Sequence, residues 1–164
     1  MPDSPLRRAA LEMEAYVAAD GWDQAPRLFA LVPTADVVSK QPELADQLES
    51  EITLIEQDGV PADRPLEDLL TEITWPDSVM GCAAVLERIM LPPEAEDALP
   101  DDPDEMFMAA AAHPDRQEVR LIAAVTRDGA AHSAVRAREP EGAELLEGPE
   151  LVPGLIEQLR QTLA

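Results

Sequence analysis

The sequence predicts an α+β fold: a mainly antiparallel sheet with helices at the N- and C-terminal ends. Three features predict it. Leu6, Ala10, Met13 and Val17 recur at helical spacing near the start, and Val152, Leu155, Ile156, Leu159 and Leu163 do so near the end. Between them lie short apolar, often β-branched runs separated by Pro and Gly. The last two of these runs read as a hairpin. A length of 164 residues suits one domain spanning 1–164 around a single core.

Taken in order, Ser4-Pro5 reads as an N-cap followed by proline at the first helical position, where its missing N–H costs nothing. Gly21 is a natural stop, so the first helix runs from about 5 to 19. Arg27 to Val32, held between Pro26 and Pro33, reads as a strand. Thr34 is placed to cap a helical segment that Pro42 divides into two short helices reaching Leu48. Ile52-Thr53-Leu54-Ile55-Glu56 is short and β-branched, hence a strand, closed by Asp58-Gly59 and Pro61. Leu66, Leu69, Leu70 and Ile73 form a helical stripe after Pro65, ending before Trp75-Pro76. Val79 to Leu91 reads as a central strand, although Met80 to Leu86 taken alone also suits a helix.

An acidic connection follows over about 92–115. Within it Asp102-Pro103-Asp104-Glu105 looks like a helix start with acids at the positive end of the dipole, and Pro114 ends that helix after Ala112. Arg116 to Glu139 is the hairpin, and its register can be argued from faces. A three-residue loop, Arg127-Asp128-Gly129, places Gly129 in the left-handed position of a type I turn with a bulge. It pairs Val119, Leu121, Ala123 and Val125 with Ala137, Val135, Ser133 and Ala131. A two-residue loop would flip every side chain to the other face. Gly142 to Gly148 reads as a loop and Pro149 to Leu163 as the final helix.

Composition excludes several functions. There are 34 Asp plus Glu against 12 Lys plus Arg, a formal charge of −22, yet 46% of residues are apolar, so the chain is not a disordered acidic polymer. Aromatics make up only 3%, so the core must be built from Leu, Val, Ile and Ala. Nucleic acid and anionic membrane surfaces both need clustered Lys and Arg and are excluded as partners. No run of 18 apolar residues is present, and Met1-Pro2-Asp3-Ser4-Pro5 lacks the apolar stretch of a signal peptide. A single cysteine, Cys82, suits a reducing cytoplasm. Lys40 is the only lysine and asparagine is absent, which indicates GC-rich coding, with a halophilic source as the alternative explanation.

Signatures of catalysis are missing: there is no Gly-rich phosphate loop, no G-x-S-x-G and no second cysteine. His113 and His132 fall on different elements, so no metal site and no cofactor are expected. Cys82, beside Gly81 and Ala83 in an apolar strand, reads as a buried, inert thiol. Asp101-Asp102-Pro103-Asp104-Glu105 lacks the spacing of a calcium loop and reads as solvated. Arg120, Arg136 and Arg138 share one hairpin face, the one locally basic surface, with Glu118 opposite Arg138. It is expected either to be covered by a helix and ion-paired, or to dock this chain's own acidic connection, a twin or an acidic partner. Trp22-Asp23 and Trp75-Asp77 sit in loops at element ends, where an aromatic either plugs a core or anchors a partner.

Gly21 to Ala35, Trp75-Pro76-Asp77 with Gly81-Cys82-Ala83, Leu91 to Glu96, His113-Pro114-Asp115-Arg116 and Leu151 to Leu155 together resemble an uncharacterised conserved protein family of actinobacteria, of propionibacterial type. The resemblance covers nearly the whole chain, implies a cytoplasmic bacterial protein, and brings no catalytic residues with it. Element order, small size and acidity also look like the type III secretion chaperone architecture, typically a dimer that holds an extended partner chain. The expectation is therefore a non-enzymatic protein-interaction or chaperone-like accessory protein whose partner is another protein or a twin, a homodimer included. The alternative is a small-molecule or metal-dependent enzyme using acids near Trp22 and Trp75.

Overall fold

In the computed structural model, residues 4–46, 51–57, 60, 66–90, 94, 97–114, 116–138, 144–149 and 151–163 are described. Helix α1, Pro5–Ala18, starts as the sequence indicates: the Ser4 hydroxyl accepts the Arg7 N–H at 3.1 Å and Pro5 opens the first turn. Then come β1 (Arg27–Pro33), α2 (Thr34–Lys40), a single 3₁₀ turn (Pro42–Leu44), β2 (Ile52–Glu56) and α3 (Leu66–Leu70). The chain continues through β3 (Gly81–Met90), α4 (Pro103–Ala112), β4 (Gln117–Thr126), β5 (Ala131–Ala137), β6 (Leu146–Gly148) and α5 (Pro153–Thr162).

The strands form one antiparallel sheet in the order β2-β1-β3-β4-β5-β6. β1, β3 and β4 lie inside the sheet under helices on both faces, so their apolar runs are buried on both sides and do not alternate. One face carries Phe29, Leu31, Ala83, Val85, Ile122, Ala124 and Ala134 beneath Leu6, Ala9, Ala10, Met13 and Val17 of α1. The other carries Leu28, Ala30, Cys82, Ala84, Leu86, Ala123 and Val125 beneath α3, Trp75 and α5. The result is three layers with α1 on one side and α3 and α5 on the other. The hairpin adopts the register of the three-residue loop, with Val119 opposite Ala137, Leu121 opposite Val135 and Val125 opposite Ala131. Gly129, at φ +93°, supplies the left-handed turn residue.

Four local expectations are corrected. Thr34 is the first residue of α2 rather than its cap; its hydroxyl is turned instead to Thr53 at 2.8 Å on β2. The described helix after residue 65 stops at Leu70, before Ile73. Part of the supposed loop 142–148 is the edge strand β6, held because buried Ser133 donates to the Gly148 carbonyl at 2.7 Å and accepts the Leu151 N–H at 2.8 Å. The final helix consequently begins at Pro153, not Pro149. The expected features at Leu48, Asp58-Gly59, Pro61, Pro65 and Pro92 lie outside the described residues, as do Glu139 and Gly142.

Gly81 is where the sheet tolerates no side chain. It pairs with Leu31 on one side and Thr126 on the other, and an added Cβ would land on the Val125 carbonyl oxygen. Gly81→Ala should lower the unfolding free energy by about 1–3 kcal/mol, read from urea denaturation. Gly154→Ala in α5, where the space is open, should be neutral or stabilise by up to ~1 kcal/mol.

Candidate functional site

The arginine face exists, and the chain covers it itself. Arg120 and Arg136 are direct cross-strand partners on the α1 side of the sheet. Two like charges so placed repel, and each is managed differently. Arg136 donates its Nε–H to Glu14 of α1, a carboxylate only 6% exposed. Arg120 is 1% exposed, lies 4.4 Å from the centroid of the Trp22 ring and donates from Nη2 to the Gly21 carbonyl at 2.6 Å. Its Nε has no acceptor among the described residues, and burial pushes its guanidinium below the ordinary range.

Arg138 lies 5.6 Å from the same ring and grips Asp23 with both Nη atoms, at 2.9 and 3.1 Å. The expected contact with Glu118 is present at 3.2 Å. Glu87, opposite Arg120 on β3, accepts the Asp23 and Gln24 N–H groups at 2.9 and 3.0 Å. These contacts hold Asp23 at φ +67°, a left-handed position that Asp tolerates better than most residues. Residues 21–24 thus form a flap over the arginines. The Arg138 hydrogen bonds, and then its charge, hold the Asp23 carboxyl below its ordinary 3.8. Among the described residues, the occupants of this face are α1 and the flap.

Trp75 works on the opposite face. It is 9% exposed, and its indole N–H donates to the Thr162 hydroxyl of α5 at 2.9 Å. Arg127, from the hairpin loop, donates to the carbonyls of Val79 (2.8 Å), Leu163 (2.6 Å), Trp75 (3.2 Å) and Pro76 (3.1 Å). This clamp joins the Trp75 loop to the end of α5. Trp22 and Trp75 therefore lie on opposite faces and at opposite ends of β3 and β4, and Asp23 and Asp77 do not share a pocket. His132 contacts Glu147 at 3.0 Å, and Arg7 reaches the same carboxylate at 2.9 Å, pinning β6 to α1. Burial pushes the Cys82 thiol up to about 11, which leaves it protonated and unreactive near neutrality. Among the described residues no three His, Cys, Asp or Glu side chains gather as metal ligands.

A surface that the sequence reading touched only at Trp75 is a cleft of about 580 Å³ over β1 and β2. Ala30, Val32 and Ile55 form its floor, with Val37 on one wall and Trp75, Pro76 and Val79 on the other. Asp36, Lys40, Gln41 and Gln57 stand at its polar margin. Ile55, at the β2 end of that floor, is 45% exposed. α5 and α3 cover the middle of this sheet face, and the cleft opens where that cover ends. One sequence signal could have found it: β1 offers apolar side chains to both faces, while only one strong helical stripe precedes it to cover them.

A family model described as PPA1309-like protein matches residues 6–164. No curated protein and no solved structure matches the chain.

Two outcomes check the arginine face. Arg136→Ala strands the Glu14 carboxylate in the interior and should cost about 2 kcal/mol of stability in chemical denaturation. NMR titration should find the Asp23 carboxyl below 3.8 in the native protein and nearer 3.8 in Arg138→Gln. Since the folded pKa is the depressed one, the contact stabilises above pH 3.8 and is lost as pH falls through the folded value.

Proposed function

The chain belongs to the PPA1309-like protein family, and we propose that it is a non-enzymatic, chaperone-like accessory protein that docks another protein in the cleft beside β2. The observation that carries this reading is the cleft itself: an apolar floor open to solvent, adjoining a strand that has no neighbour on its outer side among the described residues. Open apolar surface of this kind marks interaction sites. The arginines of the basic face are engaged internally by Glu14, Gly21, Asp23 and Glu118. Asp23 and Asp77 stand on opposite faces of the sheet, which favours this reading over an enzyme whose site gathers the acids near Trp22 and Trp75. No helix among the described residues is long and apolar enough to cross a membrane. The lone, buried Cys82 suits a cytoplasmic setting.

Position-specific photocrosslinking in growing cells tests the reading. A benzoylphenylalanine at Lys40, on the cleft margin, should yield discrete protein adducts that the same probe at exposed Glu157 of α5 does not, and Val37→Glu should abolish them. Equal adducts at both positions, or none at Lys40, would overturn it.

A further inference from the structure

We infer that the partner enters as an extended segment, cationic at its flanks, which adds to the sheet as a new strand along the outer edge of β2. This rests on the cleft being a protein-docking site and adds the mode of binding and the chemistry of the partner.

The hydrogen-bond parity of β2 supplies the first argument. Thr34 donates its N–H to the Glu51 carbonyl at 2.9 Å and Gln57 donates to the Leu28 carbonyl at 2.8 Å. In an antiparallel pair, bonded and non-bonded positions alternate. Thr53 and Ile55 therefore bond to β1, and the N–H and C=O groups of Ile52, Leu54 and Glu56 point away from it. β2 ends the sheet on this side, and among the described residues nothing pairs with those groups.

Edge strands are ordinarily guarded by Lys, Pro, a bulge or a free charge. Ile52-Thr53-Leu54-Ile55-Glu56 holds no Lys or Pro, and its one charge is already engaged: Arg27 donates to both Glu56 oxygens, at 2.6 and 3.1 Å. An added strand would lay alternate side chains against Ile55 on the cleft side and Leu54 on the α1 side. Main-chain bonds would give affinity and the cleft would select side chains.

Charge decides the occupant. Among the described residues, the stretches around the cleft expose Asp36, Glu43, Asp46, Glu51 and Asp77 against Lys40 alone, with Asp36 and Lys40 in its lining, on a chain of net −22. A second copy would bring the same acids to the contact, whereas Arg or Lys flanking an apolar strand would neutralise them.

Fluorescein-labelled decapeptides with a Val-Thr-Val-Thr-Leu-Thr centre test this by anisotropy, carrying either Lys-Arg or Glu-Glu flanks. The cationic peptide should bind at least tenfold tighter than the acidic one, weaken with added salt and slow exchange of the Leu54 and Glu56 amides. N-methylation of its edge-facing amides should abolish binding. Leu54→Pro should do the same while keeping the native melting transition, because the N–H it removes faces outward. Equal binding of the two flanks, or full binding after N-methylation, overturns strand addition. Protection of the Leu54 amide by concentration-dependent dimerisation overturns the choice of partner. Adducts at Lys40 that persist after either result leave the docking reading intact, and their loss removes that reading separately.

Discussion

The centre of the sheet is buried on both faces, and that constraint shapes everything around it. Ala83 and Ala84 on β3 lie opposite Ala124 and Ala123 on β4, and all four are 0% exposed. Small side chains there let a helix approach from either side, so Ala9 and Ala10 of α1 meet one face while Ile156 and Leu159 of α5 meet the other. With only 3% aromatic residues, close approach replaces bulk as the means of filling space. Each helix can cover only part of a six-stranded sheet. Where α1 runs out, the interior meets Arg120, and the Trp22 flap closes over it. Where α5 and α3 run out, nothing comparable follows among the described residues, and the cleft over β1 and β2 stands open.

The positive charges of this acidic chain are drawn inward. Arg7, Arg27, Arg120, Arg127, Arg136 and Arg138 all donate to groups of their own chain. Several of these contacts join distant segments: Arg136 ties β5 to α1, Arg138 ties the flap to the hairpin, and Arg127 ties the hairpin loop to both the Trp75 loop and the end of α5. A guanidinium suits this use because its fan of donors satisfies several carbonyls or a carboxylate at once. The consequence at the surface is an excess of carboxylates with few cations to offset them. That excess gives the cleft margin its acidic character, on which the proposal of a cationic partner rests.

Legibility followed range. The hairpin register could be argued from Gly129 and the alternation of Val119, Leu121, Ala123 and Val125, because turn chemistry and side-chain period are local. The Cys82 thiol was legible for the same reason, sitting in an uninterrupted apolar strand. β6 was not. Leu146-Glu147-Gly148 is too short to show a period, and what holds it is Ser133, His132 and Arg7, residues far away in the chain. Thr34 offered a locally good cap, but a hydroxyl on β2 took its oxygen instead.

The sequence by itself determined the α+β class, the strands and helices long enough to carry a period, the basic face of Arg120, Arg136 and Arg138, and the sign of the surface. Those follow from patterns a few residues wide and from composition. Only the tertiary structure decided that α1 and the Trp22 flap occupy the arginines, that the two tryptophans stand on opposite faces, and that an apolar cleft borders β2. Each of these depends on which segment covers which part of the sheet, a competition among layers that local patterns record only in part.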